Sequence, residues 1–195
     1  MAARFLAVAG AALVLSGCFG GASVPPQLLT LTPAQTRAPT VPARAGAGEA
    51  ITVAEPSVPQ ALRTARVPVY VSETAIQYLK DAQWVENPAP LFARLVGETI
   101  AARTGRVVLD PNQYTHDPGT RVTGQLLRFG LDPTAMEVVM VYDAAIERGA
   151  GVTTNRFTAR VPVAAPTAAA VAPALNEAAN RVAGEVAAWV GGASG

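Results

Sequence analysis

The sequence predicts an α/β fold: one domain in which a mixed, largely antiparallel sheet, including a C-terminal three-strand meander, is packed by two amphipathic helices. Three observations carry that prediction. Residues 136–146 alternate apolar and polar with period two, the signature of a long strand buried on one face. Residues 88–104 and the C-terminal stretch to Val190 repeat their apolar positions every three or four residues, which is helical. The chain has 195 residues, half of them hydrophobic and 15% charged, which suits one real core and is too short for two. Two amphipathic helices and six or seven strands then settle into α/β layers.

Taken in order, "LLTLTP" reads as a first strand, Leu28 to Thr32. From Ala34 to Gly48 the chain is rich in Pro, Ala and Gly without apolar periodicity, so an excursion with little regular structure is expected. A strand resumes around Ile51 and Val53. "VPVYV" and "AIQYLKDAQW" are two further extended runs that pair with each other, the second alternating imperfectly. The first helix has its boundaries marked by Asn87 as N-cap, Pro88 at the first position and Gly105 just past the end. Leu91, Phe92, Leu95, Val96 and Ile100 form its apolar face.

In the meander, Val138, Met140, Tyr142, Ala144 and Ile146, preceded by Met136, face the core. Glu137, Asp143 and Glu147 face the other way. "RVTGQLLRFG" and "GVTTNRFTARVPV" flank this strand, joined through "LDPT" and "RGAG". The last helix carries the stripe Leu175, Ala178, Val182, Val186, Trp189, Val190, with Asn176, Glu177, Asn180, Arg181 and Glu185 opposite. Pro173 belongs in its first turns, because deeper in a helix it removes a hydrogen bond and clashes with the preceding turn. Aromatic residues are few, so Trp84 and Trp189 are expected packing centres.

Ahead of this domain, residues 1–17 have the layout of an export signal: a head with one arginine, Arg4, and an apolar run from Phe5 to Leu15. That run is too short to cross a bilayer, which takes about 20 apolar residues. The chain's one cysteine follows directly, in the order Leu15-Ser16-Gly17-Cys18. A lone thiol forms no internal disulfide and no metal site. The order resembles the lipobox of bacterial lipoproteins, in which the leader is cut between Gly17 and Cys18 and Cys18 receives an S-diacylglyceryl group and an N-acyl chain. Two or more fatty chains give a stable membrane anchor where one gives only marginal binding. Phe19 rather than aspartate after the cysteine points to the outer membrane by the sorting pattern of enterobacterial lipoproteins. Residues 18–27, "CFGGASVPPQ", then form a flexible stalk rich in Gly and Pro, and residues 28–191 the domain.

Charge narrows the partners. Arg4 is the one charged side chain of the leader, so the mature chain carries 14 basic against 14 acidic groups. A neutral surface without polybasic runs lacks the phosphate-neutralising charge that nucleic-acid binding needs, and no nucleic-acid partner is expected. Catalysis finds little foothold. The one imidazole, His116, sits in the turn-rich "QYTHDPGT" and reads as a solvated loop residue. Glu137, Asp143 and Glu147 read as solvated charges on a strand's polar side rather than an acid/base pair. No Cys or His pair stands at metal-ligand spacing, and no cofactor is expected beyond the covalent lipid. Met136 and Met140 could line a pliable lipid-adapting groove but read better as ordinary core. Trp84 reads as a core plug capping the first helix rather than a partner-facing anchor.

The order of lipobox, "LLTLTP", "ITVAEPSVPQALRTARVPVYVSETAIQYLKDAQWVENPAPLFARLVGETI", meander and terminal "ALNEAANRVAGEVAAWV" helix resembles the ABC-type transport auxiliary lipoprotein family over roughly Leu28 to Val190. Pro59, Leu62, Arg66 through Val71, Ile76, Tyr78 and Trp84 match its most telling stretch. Arg63 stands where the family usually has aspartate, and Pro173 where alanine is common. The resemblance implies a non-enzymatic periplasmic lipoprotein that docks on the MCE-domain protein of an ABC-type lipid transporter, links it to the outer membrane, and in some members assembles as a ring. The rival readings are a carrier that shuttles apolar cargo itself, which needs an apolar cavity of several hundred Å³, and an envelope hydrolase resting on His116. The docking surface expected is the exposed face of the meander or of the first helix.

Overall fold

The meander supplies the frame on which everything else is hung. Strands β5 (Thr120–Asp132), β6 (Glu137–Arg148) and β7 (Gly151–Pro162) pair antiparallel in continuous register, from Arg121 against Glu147 to Asp132 against Glu137 and from Glu137 against Pro162 to Arg148 against Gly151. The computed structural model describes residues 27–36, 44–46, 48–111 and 119–192. The period-two reading holds: Val138, Met140, Tyr142, Ala144 and Ile146 are all buried on one side of β6. β5 runs two residues further than "RVTGQLLRFG" suggested, and the tight connection is Pro133–Met136. Met136 has φ +52 and so belongs to the turn, half-buried against the core, rather than opening the strand.

The second edge of β5 is shared. Strand β1 (Ile51–Val53) pairs parallel with its beginning at Thr120–Val122, β2 (Arg66–Tyr70) pairs parallel with its end at Leu131, and Ser57 bridges to Gln125 between them. Two short strands thus lie end to end along one long one, interrupted by Pro56, Pro59 and a single 3₁₀ turn at Gln60–Leu62. Outside β2 comes β3 (Ile76–Gln83), paired with it as expected and running antiparallel, with a register shift between Arg66 and Pro68 where Asp81 takes φ +55. Outside β1 comes the two-residue β4 (Val108–Leu109), parallel. The result is a mixed seven-stranded sheet.

Helix α1 (Pro88–Thr104) ends as read, with Gly105 left-handed at φ +70. Asn87 stands at the N-cap position, yet its side chain makes no capping hydrogen bond. A cap oxygen accepts from the N–H two or three residues on, and the third residue here is Pro90, which has none. Helix α2 (Ala168–Gly192) holds Pro173 at its sixth residue, in the second turn. Leu175, Ala178, Val182, Val186 and Val190 are buried as the stripe required, while Trp189 is half-buried and meets Phe157 edge-on at 5.6 Å.

Both helices cover one face of the sheet. Between them and the strands lies a continuous core in which Trp84 stacks on Phe129 at 5.4 Å and Phe92 of α1 meets Tyr142 of β6 edge-on at 5.1 Å. Trp84 is therefore a core plug. The expected first strand is not one. Leu28–Thr32 makes a single parallel bridge, Leu29 to Trp84, and otherwise runs as a strap across the surface of α2. The reason lies in its neighbours: Thr32 and Ala34 find hydrogen-bond partners in side chains of α2 instead of a second strand. The described parts of the excursion after it, residues 34–36, 44–46 and 48, contain no helix or strand, in keeping with their composition.

Candidate docking face

Opposite the helices the sheet is uncovered by any described element, and the polar half of each meander strand forms its surface. Glu137, Asp143 and Glu147 all point this way but do not act together: six and four residues apart on one strand, they are separated by about 20 and 13 Å. Each has its own cross-strand partner. Asp143 takes two hydrogen bonds of 2.6 Å from Arg156, a side-on pair with both carboxylate oxygens engaged. Arg156 holds the Asp143 carboxyl below its ordinary range by hydrogen bonding, and Asp143 in turn raises the guanidinium. Glu137 pairs with Arg160, and Glu147 lies 3.5 Å from the Thr123 hydroxyl. These are structural partnerships between neighbouring strands, and the Asp143 carboxyl is shifted away from the range a general acid needs.

Around Asp143 and Arg156 the face dips into a depression of about 720 Å³, lined by Ser57, Thr123, Gln125, Thr154 and that pair. Its lining mixes these polar side chains with Ala144 and Ala145. Further along the sheet the cover becomes aromatic and cationic: the Arg128 guanidinium lies 4.3 Å over the Tyr70 ring and that of Arg66 lies 4.0 Å over Tyr78. Gly130 makes this fit, since a Cβ there would come within 2.3 Å of the Pro68 carbonyl and 3.1 Å of the Tyr70 ring. The Phe129 N–H donates to the Tyr70 hydroxyl at 3.1 Å, and burial raises the phenol above its usual value.

The other exposed candidate, α1, borders an apolar groove of about 400 Å³ between its outer face and β4, with Ala93, Gly97 and Val108 in its wall and Glu55, Glu98 and Asp110 on it. Of the readings made from the sequence, Met140 is wholly buried and Met136 half-buried against the core, so the two methionines line no groove. Gly17, Cys18 and His116 lie outside the described residues. Among the described residues there is no group of three or more metal-ligating side chains, and no helix is long and apolar enough to cross a membrane.

Two features escaped sequence reasoning. Asn176 and Asn180, assigned to the solvated side of α2, hold the strap: Asn176 Oδ1 accepts from Thr32 N–H at 2.9 Å, Asn180 Oδ1 from Ala34 N–H at 2.7 Å, and Asn180 Nδ2 donates to the Thr32 carbonyl at 2.9 Å. Two asparagines four apart on one helix face were the available signal. The tyrosine–arginine cover of β2 and β3 was hidden because its partners are 12 to 58 residues apart in sequence.

The architecture is similar to that of protein XCC0632 from Xanthomonas campestris, a crystal structure assigned to family DUF330. The two share 19% identity and a TM-score of 0.70, over 84% of this chain and 94% of that one. A second crystal structure, of an uncharacterized protein, matches with a TM-score of 0.65 at 8% identity over 84% of this chain and 99% of that one. At these identities the likeness concerns the fold. No curated protein matches the chain. The sequence model of the ABC-type transport auxiliary lipoprotein component family matches residues 28–187, which takes in the strap, the whole sheet, α1 and all but the last five residues of α2, and the protein belongs to that family.

Proposed function

We propose that this protein is a non-enzymatic adaptor of an ABC-type lipid transport system. Residues 1–17 are removed, Cys18 carries the S-diacylglyceryl and N-acyl groups, and the domain stands on the periplasmic face of the outer membrane. There it docks on the MCE-domain protein of the transporter through the open meander face, alone or as a ring of copies. The observation that carries the reading is the pairing of an auxiliary lipoprotein domain from residue 28 with Leu15-Ser16-Gly17-Cys18 ten residues ahead of it. The open face supports it as a docking surface: it mixes satisfied charges, hydroxyls and tyrosine rings on a rigid sheet, which is the composition of a non-obligate interface.

Replacement of Cys18 by Ser tests the anchor. The variant folds but leaves the membrane fraction, and retention there overturns the reading. Crosslinking in membranes tests the partner, with capture of an MCE-domain protein expected from photoreactive groups at Thr154 or Gln125. Groups on β4 serve as the comparison.

A second reading, a carrier of apolar cargo, has one observation behind it, the apolar groove between α1 and β4. Native mass spectrometry of the unanchored domain decides it. Copurified lipid lost on Gly97→Leu supports the carrier, and a bare mass supports the adaptor.

A further inference from the structure

The strap enters the domain at one corner, where two of the exposed apolar side chains lie. Among the described residues four large hydrophobic side chains are exposed, Leu28, Ile76, Val85 and Val152, at 47%, 46%, 54% and 66%. Two of them, Leu28 and Val85, are diagonal neighbours on one face at the strap's root: Leu29 N–H donates to the Gln83 carbonyl at 2.7 Å and Val85 N–H donates to the Leu29 carbonyl at 2.8 Å, a parallel bridge that sets Leu28 opposite Gln83. Leu29 and Leu31 sink half-buried against the core, and beyond them Asn176 and Asn180 hold Thr32 and Ala34. The strap is thus fixed along its length, with Leu28 left outside on the same face as Val85.

We infer that this corner is the surface the domain turns toward a lipid bilayer, with Leu28 and Val85 as its apolar contacts and Asn176 and Asn180 as positioning residues that hold it there. For its setting the inference rests on the Cys18 anchor proposed above. Chain length argues for it. The ten residues from Cys18 to Leu28 reach at most about 35 Å. A domain of this size is roughly 40 Å across, from its expected radius of gyration. A tether shorter than the domain is wide keeps its point of attachment on the bilayer side, and the exposed leucine and valine lie at that point. Were the strap loose, the next ordered strand would be β1, and the extended reach of the tether would grow to about 115 Å, well beyond the width of the domain. The corner would then lose its preferred orientation.

The experiment couples the mature chain, through its one thiol, to a maleimide-bearing lipid in phosphatidylcholine vesicles that also contain a phosphatidylcholine with a diazirine in its acyl chain. Illumination and peptide mapping locate the adducts. Those on residues 27–34 and 83–87 exceed those on the β6–β7 hairpin, 149–153, several-fold, although Val152 is the most exposed of the four. In Leu31→Ser/Asn176→Ala/Asn180→Ala, residues 27–34 keep their adducts while 83–87 fall to the hairpin level. Circular dichroism and the urea midpoint check that this variant folds. Should it not fold, Asn180→Ala alone gives the same answer, with faster amide exchange at Ala34 and a smaller loss on 83–87. Equal labelling of the hairpin in the wild type, or unchanged labelling of 83–87 with the strap released, overturns the inference. The chemical coupling makes the result independent of natural lipidation, whose failure shows separately as an unmodified Cys18 in the mass of the native protein.

Discussion

The two faces of the meander are built from alternate residues of the same three strands, and they differ in almost every respect. Toward the helices, Leu126, Phe129, Met140, Tyr142 and Phe157 meet apolar neighbours, and the cost of disturbing them is that of a cavity. Away from the helices, the same strands offer Asp143, Arg156, Glu137 and Arg160 in cross-strand pairs. Yet this second face is not simply wet. Val139 points to it and is wholly buried, flanked in register by Arg160 and by Gly130, against which the Tyr70 ring lies. Long arginine stems and tyrosine rings cover the backbone where no helix does. One face therefore carries stability, and the other combines local order with a polar surface free to meet a partner.

The sharpest way to break the contrast is to empty the helix side. Phe129→Ala removes the ring stacked on Trp84 and costs about 3–5 kcal/mol by urea denaturation. On the open side, Gly130→Val drives a side chain into the Pro68 carbonyl, and separating β2 from β5 costs about 1–3 kcal/mol, read from the urea midpoint and from amide exchange in β2.

Alkaline pH probes both faces at once. Tyr142, whose hydroxyl donates to the Thr123 carbonyl at 3.1 Å, and Tyr70 are both raised above the usual phenol range, chiefly by burial. The unfolded chain then loses these protons first, so the stability they contribute is present below about pH 10 and is lost as pH rises beyond it. Thermal melts across pH 9–11 show the fall, and Tyr142→Phe lessens it. The smallest effect is expected at the exposed pair. Asp143→Asn lowers the urea midpoint only slightly at neutral pH, as the pair is exposed. The depressed carboxyl of the wild type gives stability that is present above its unfolded value and lost as pH falls through its folded one, a loss the variant does not show in acid titration. On the docking proposed above, capture of a transporter partner through the open face is weakened by the same substitution.

The sequence was most legible where periodicity is local. Alternation named the helix-facing residues of β6, and Gly105 and Pro88 marked the ends of α1, because helix and strand periods and terminal backbone geometry belong to a few adjacent residues. It misled where partners are distant. "LLTLTP" has a strand's composition, but a strand exists only with a ladder, and the place beside Trp84 allows one bridge. Asn176 and Asn180 looked solvated because the groups they hold are more than 140 residues away. Of the candidate docking face, the polar residues were readable and the arginine–tyrosine cover was not.

By itself the sequence determined the fold class, the two helices, the meander and the expectation of an anchored cysteine. Each rests on the order of neighbouring residues along the chain. Only the tertiary structure decided that β1 and β2 share one edge of β5, that both helices lie on the same face, and that the strap docks on α2. Those outcomes depend on which distant hydrogen-bonding groups and apolar faces can be satisfied together, and that is settled only when the whole chain closes around one core.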